Sequence, residues 1–168
     1  SEESIDLSSF PELLDSLNIF SSIDTLTGDT VDYFGGKPTT AFEVDVVVDK
    51  LGNPHAIAVV GSATAHNGDG TYSEPNYNLV SNGGFYLFDF TRDTFGDWNL
   101  MYLDFQNYYR GIWGTDNEFT LDSHPQASRS SDGSIIMFSW ADTDSANSSG
   151  ANDAPDLFTI AYDVDSRL

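Results

Sequence analysis

The groups in this chain best suited to chemistry are oxygen donors on turns. Asn67, Asp69 and Thr71 alternate along a Gly-rich run, and Asp142 and Asp144 repeat the spacing ahead of Asn147. Calcium takes several oxygen ligands from flexible loops, so both runs are candidate calcium sites, with ordinary turn hydrogen bonding as the competing explanation. Zinc is poorly served, because His55, His66 and His124 lie far apart without close-spaced partners. His55 opens an apolar strand and reads as a structural histidine. The pairs Asp142/Asp144 and Asp153/Asp156 would suit glycoside hydrolysis, which needs two carboxyls across a sugar. With 27 acidic residues, such pairs arise by chance. Nucleophilic chemistry has no footing: there is no cysteine and no Gly-x-Ser-x-Gly elbow, and no phosphate-binding Gly-x-x-x-x-Gly-Lys run. No catalytic residue is assigned.

The best candidate binding surface is aromatic. Tyr108, Tyr109, Arg110 and Trp113 combine flat apolar faces with hydrogen-bond donors and one cation. Such groups dominate protein interfaces and also stack on sugars. The alternative is that Ile112 and Trp113 fill a core, with the tyrosines at its rim.

The elements that must hold these groups read as strands. Phe42, Val44, Val46 and Val48 alternate with Glu43, Asp45, Val47 and Asp49, the period of a half-buried strand with its valines inward. His55–Gly61, Phe85–Phe90, Trp98–Phe105, a strand after Asp132-Gly133, and Leu157–Tyr162 continue the pattern. Pro54 stands at a strand entry, where the lost donor is tolerated. Residues 1–41 read as an N-terminal arm, with one short helix over Phe10–Leu17 capped near Ser8 or Ser9. Residues 42–168 form the strand-rich part.

Two turns stand out. Gly52-Asn53, within Asp49-Lys50-Leu51-Gly52-Asn53-Pro54-His55, and Asp132-Gly133, within Ser130-Ser131-Asp132-Gly133-Ser134, each lead into an apolar strand. Glycine takes positive φ cheaply and aspartate bonds its own turn, which suits tight hairpins. Pro125, the serines, Asp132-Gly133 and the following Ile135–Trp140 strand resemble the repeat of TolB/PD40-like β-propellers. The first turn resembles the hairpin of BNR/Asp-box propeller repeats. Ser131 stands where the TolB-type repeat has proline, and Asp132 and Gly133 are adjacent where an Asp-box separates them. The resemblance implies an all-β chain of antiparallel four-stranded blades, a partial β-propeller of an exported bacterial type; a β-sandwich of about seven strands is the alternative. It does not imply sialidase activity. Arg92, Arg110, Arg129 and Arg167 do not form the N-terminal arginine motif that clamps the substrate carboxylate.

The chain supplies about two to three blades, whereas closed propellers have four to eight. Remaining blades of a larger chain, or a protein partner, would complete the sheet. A formal net charge of -21 disfavours nucleic acid and anionic lipid surfaces. No run suits membrane insertion. The start Ser1-Glu2-Glu3-Ser4 lacks the regions of a signal peptide, and a missing initiator methionine suggests a processed or excised chain. The function expected is a non-catalytic, secreted or cell-surface module for protein recognition and assembly. A carbohydrate-active or glycan-binding domain and a calcium-dependent adhesion module are the rivals.

Overall fold

The computed structural model describes residues 5–17, 19–23, 26–27, 30–34, 37–65, 77–80, 85–92, 95–106, 123–144 and 156–167. They are mostly β. Among the described residues one α-helix, α1 (Pro11–Ser16), precedes ten strands: β1 (Phe20–Ile23), β2 (Thr30–Phe34), β3 (Lys37–Val48), β4 (Pro54–Ala65), β5 (Tyr77–Val80), β6 (Tyr86–Arg92), β7 (Trp98–Phe105), β8 (Gln126–Arg129), β9 (Ile135–Asp142) and β10 (Asp156–Asp163). β1 and β2 form a two-stranded hairpin. A second sheet runs β3-β4-β6-β7 with β5 added on β4, and a third runs β10-β9-β8.

The chain divides into two compact units, 1–40 with 60–86, and 41–59 with 87–168. In the smaller unit α1 forms where expected, with Pro11 at its first turn and Leu13 and Leu17 buried. Neither serine caps it. Phe10 is the N-cap and makes no side-chain bond, while Asp6 caps the preceding 3-10 turn by accepting from the Ser8 N–H. The small unit also holds the β5 ladder, from Ser62 opposite Val80 to Ala65 opposite Tyr77.

The larger unit carries the site. β9 alternates as its sequence demands, with Ile136, Phe138, Trp140 and Asp142 buried and Met137 exposed. β10 is in register with it, Phe158 opposite Trp140 and Ile160 opposite Phe138. The Trp140 and Phe158 rings stack at 6.1 Å with 15° between planes. Such a pair contributes about 0.5–1.5 kcal/mol beyond the area it buries. Ile57 and Val59 of β4 and Leu87 and Phe88 of β6 are also buried.

β3 departs from expectation. It alternates, but in the opposite phase. Val44, Val46 and Val48 are 54%, 57% and 43% exposed, while Glu43, Asp45 and Val47 are half-buried. The cause is the edge of β8. Paired to β9 on one side only, β8 turns the Ala127 N–H outward, and the Asp45 carboxylate accepts it at 2.9 Å. Arg129 reaches the other way, donating to the Val48 carbonyl at 2.7 Å. An exposed strand edge needs such partners, and a carboxylate facing β8 puts the neighbouring valines on the other side.

The β3–β4 and β8–β9 hairpins close with the same construction. Gly52 N–H donates to Asp49 O at 3.1 Å, and Gly133 N–H to Ser130 O at 2.9 Å. Both glycines have positive φ, 88° and 71°. Their surroundings differ. A methyl group on Gly52 would meet nothing within 4 Å, whereas one on Gly133 would lie 2.8 Å from the Lys50 backbone nitrogen. Gly52→Ala should therefore cost about 1–2 kcal/mol, the left-handed penalty alone. Gly133→Ala should cost about 1–3 kcal/mol more, because turn backbone must move. Urea unfolding of the two variants checks the ranking; equal losses would show that the turns are not pressed together.

Candidate functional site

Three aspartate-capped turns meet in the larger unit. Asp49 Oδ1 accepts from the Leu51 and Asn53 N–H groups, both at 2.8 Å, and Oδ2 from the Asn53 amide at 2.9 Å. Asp132 Oδ1 accepts from the Ser130 hydroxyl, the Ser134 N–H and the Ser134 hydroxyl. Asp163 Oδ1 accepts from the Asp165 and Ser166 N–H groups. The turns are also tied to one another. Lys50 N–H donates to Gly133 O at 3.0 Å and Val164 N–H to Ser134 O at 2.9 Å. The Lys50 ammonium pairs with Asp165 at the surface, which adds little stability. The Ser130 hydroxyl, with the Ser134 N–H and hydroxyl, holds the Asp132 carboxyl down at about 2.

Beneath the Asp49 turn lies a buried charge pair. His55, second residue of β4, bonds through Nδ1 to Asp89 Oδ2 of β6 at 2.7 Å. Both side chains are almost wholly out of solvent. His55 Nε2 lies 3.7 Å from Asp49 Oδ2, beyond hydrogen-bond range but close enough for charge attraction. The ring packs against Phe138 of β9 and Tyr162 of β10, with centroids 6.2 and 5.4 Å away. One imidazole thus touches both sheets of the unit and the turn above it.

The pair's titration follows from burial and charge together. Burial alone would push the His55 pKa down, but the Asp89 hydrogen bond and the charges of Asp89 and Asp49 outweigh it, so the net shift is upward. Burial raises Asp89 more than His55 lowers it. Both groups hold protons more tightly than usual, and the pair keeps its one proton to higher pH. Asp49 moves the other way: burial raises it, but the Asn53 and Leu51 bonds and the His55 charge bring it below the ordinary value.

The residues singled out from sequence distribute unevenly. Gly52, Asn53, Asp132 and Gly133 come together at the joined turns. Tyr108, Tyr109, Arg110 and Trp113 lie outside the described residues, as do Asn67, Asp69 and Thr71. Asp142 is 1% exposed, and its Oδ1 accepts the Thr143 N–H at 2.6 Å. Asp144 donates its N–H to Asp156 Oδ2 at 2.9 Å. Among the described residues no group of three or more histidines and carboxylates converges as a metal-ligand set. His55 is the structural histidine expected, but Asp89 and Asp49 as its companions were missed. The available signal was Asp89 itself, a carboxylate within the apolar run Phe85–Phe90, where an acid must find a partner.

A shallow cleft of about 370 Å³ opens beside the turns, lined in part by Asp49, Asn53, Phe95, Asn99, Tyr162 and Arg167. Phe95 is 90% exposed there. The cleft offers amides, a phenol, a guanidinium and an aromatic face.

His55→Leu should cost about 3–5 kcal/mol, because Asp89 is left buried without its donor. The double replacement of His55 and Asp89 by Leu should cost less than His55→Leu alone. A raised histidine pKa contributes stability below its unfolded value of about 6.5 that is lost as pH rises through the folded value. The raised Asp89 acts in the same sense, and the lowered Asp49 contributes above its unfolded value of about 3.9. Wild-type stability should therefore decline from mildly acidic toward alkaline pH, and the double variant should lose that slope. Urea unfolding across pH measures both, and a double variant less stable than His55→Leu would refute the pairing.

In comparison with known proteins, the chain matches no protein-family model, no curated protein and no solved structure.

Proposed function

We propose that this chain is a non-catalytic, exported or cell-surface β-propeller-like module that serves protein recognition and assembly. The observation that carries the reading is the pair of matching hairpins joined turn to turn, Asp49–Asn53 against Ser130–Ser134, through Lys50 N–H and Gly133 O. Propeller blades are four-stranded antiparallel sheets repeated about an axis, so equivalent turns of neighbouring blades lie side by side. With β5 set aside as an addition on β4, the path β3-β4-β6-β7 of the five-stranded sheet resembles the strand succession of one blade, and β8-β9-β10 that of the first three strands of the next. The contacts of Asp45 with Ala127 and Arg129 with Val48 bring the first strands of the two sheets together, as inner strands of adjacent blades would be. Two such sheets fall short of the four that the smallest closed propellers contain, so further β-structure would complete the assembly. Burial of Asp142 supports a non-catalytic role, since a hydrolytic carboxylate must reach its sugar.

The test is crosslinking in the source cells with a neutral, amine-independent photoreactive group. Wild type should give a discrete larger species, and Leu157→Lys, at a 76% exposed position, should lose it. A wild-type chain that crosslinks to nothing beyond itself as a monomer overturns the reading.

Glycan binding is the second reading, favoured by exposed Phe95 over the polar cleft. Amides and an aromatic face are the groups that hold neutral sugars. Titration with cellobiose, maltose and lactose, followed by nuclear magnetic resonance, should shift cleft signals in wild type and not in Phe95→Ala. No saturable shift with any of the three removes this reading.

A further inference from the structure

The cleft beside the joined turns continues past Phe95. A second hollow, of about 480 Å³, shares Leu51, Asn53 and Phe95 with it and adds Arg92 and Gly96. The two make one groove in the larger unit, with the exposed side chains of Leu51 and Phe95 common to both parts. Arg92 lines one part and Arg167 the other. The groove therefore holds two of the six cations of a chain with 27 acids.

Each arginine is held in place. Arg92 donates from Nε to the Gly96 carbonyl at 2.8 Å, and its guanidinium lies over the Trp98 ring, 5.9 Å from the centroid. Arg167 stands in the turn after β10, where its N–H donates to the Asp163 carbonyl at 2.8 Å. Its φ is 56°, in the left-handed region that glycine enters freely and arginine does not. The turn alone would select glycine, so the side chain answers to something else. Its guanidinium makes no ion pair with a described carboxylate. The acids around it are held to their own turns. Asp163 accepts from two amides, and Asp165 pairs with Lys50. Asp49, in the groove wall, is 4% exposed and spends both oxygens on Leu51 and Asn53 groups.

An exposed aromatic face, two amides and an unpaired guanidinium suit a ring that carries an anion. The rest of the chain limits how much charge that anion brings. A net charge of -21 repels a phosphate ester, at about -1.5 to -2, more than a singly charged carboxylate.

We propose that the groove binds a saccharide bearing a carboxylate, a uronic acid, with the sugar face on Phe95 and the carboxylate on Arg167. This rests on the glycan reading above and names the class of sugar. Phe95 and the amides serve any pyranose, whereas Arg167 distinguishes the acid from its neutral counterpart. The planar guanidinium meets both carboxylate oxygens with parallel hydrogen bonds, roughly twice as strong as neutral ones. At an exposed site salt weakens them.

Three disaccharides of one skeleton make the test: cellobiose, cellobiouronic acid and the methyl ester of that acid. Each is titrated into the wild-type chain at neutral pH and followed by nuclear magnetic resonance. Cleft signals should saturate with all three, at a Kd about tenfold lower for the acid than for its ester. That preference should shrink at high salt. Arg167→Gln should lose it, and Arg167→Lys should keep only part, since an ammonium lacks the planar fork. Arg167 is exposed, so melts of both variants should match wild type. Equal affinity for acid and ester, or a preference that survives Arg167→Gln, overturns the proposal while the glycan reading stands on the neutral sugars. If none of the three shifts the cleft signals, both fall together.

Discussion

The His55–Asp89 pair is the constraint on which the larger unit depends. An imidazole and a carboxylate removed from water cost several kcal/mol each unless they meet, and at 2.7 Å they do. That requirement ties β4 to β6 at one position. It also sets what lies on either side. The ring's faces are left to Phe138 and Tyr162, which belong to the other sheet, and its far nitrogen is turned toward Asp49 at 3.7 Å. Asp49 in turn spends its lone pairs on the Leu51 and Asn53 groups of the turn above. Sheet, neighbouring sheet and turn are thus connected through one side chain. Replacing the pair by apolar residues would keep packing but lose the direction that hydrogen bonds impose.

The turns carry that order outward. The Asp49 and Ser130 hairpins have the same glycine-bearing geometry, and the amide of Lys50 bonds to the carbonyl of Gly133. A side chain on Gly133 would occupy the space that this bond requires. Glycine there serves backbone approach as well as positive φ, whereas at Gly52 only the φ is at stake. Two turns of equal shape therefore carry different demands, and the contact of the Gly133 turn with the Lys50 backbone explains the difference.

Much of the local structure was legible in the sequence because it follows from local chemistry. Asp132-Gly133 specifies its turn, the alternation of Ile136, Phe138 and Trp140 specifies a half-buried strand, and the leucines of Phe10–Leu17 specify a short helix, though of Leu13, Leu14 and Leu17 only Leu13 and, just past the helix end, Leu17 are buried. What failed to be legible depended on partners distant in the chain. The period of β3 was plain, but its phase was set by an unpaired amide on β8, which recruited Asp45 and turned the valines outward. Apolar pattern predicts which residues share a side; it does not say which side faces in when a backbone edge needs a carboxylate. Likewise His55 could be recognised as structural from its place at the head of an apolar strand, while Asp89, thirty-four positions on, was one acid among many. The outer face of β9 and β10 gave no signal, since residues such as Ala141, Thr159 and Ala161 are ordinary at a strand surface.

The two edges of the β8–β9–β10 sheet show how the chain divides its polar backbone between internal and external use. On β8, Asp45 occupies the outward Ala127 amide and Arg129 crosses to the Val48 carbonyl, so a foreign strand finds its hydrogen-bonding groups already taken. On β10 no described strand pairs with the far edge, and the adjoining face carries Met137, Ser139, Ala141, Leu157, Thr159 and Ala161, with Asp163 at its end opposite Ile135. Placing an acid at every other surface position is chemically easy for a chain of this composition. Leaving Met137, Ala141, Leu157 and Ala161 uncharged on one continuous face, while guarding the opposite edge with a carboxylate and a guanidinium, gives the sheet a direction. The two edges therefore differ in kind: β8 spends its outward backbone groups inside the chain, and β10 has no described strand on its outer side.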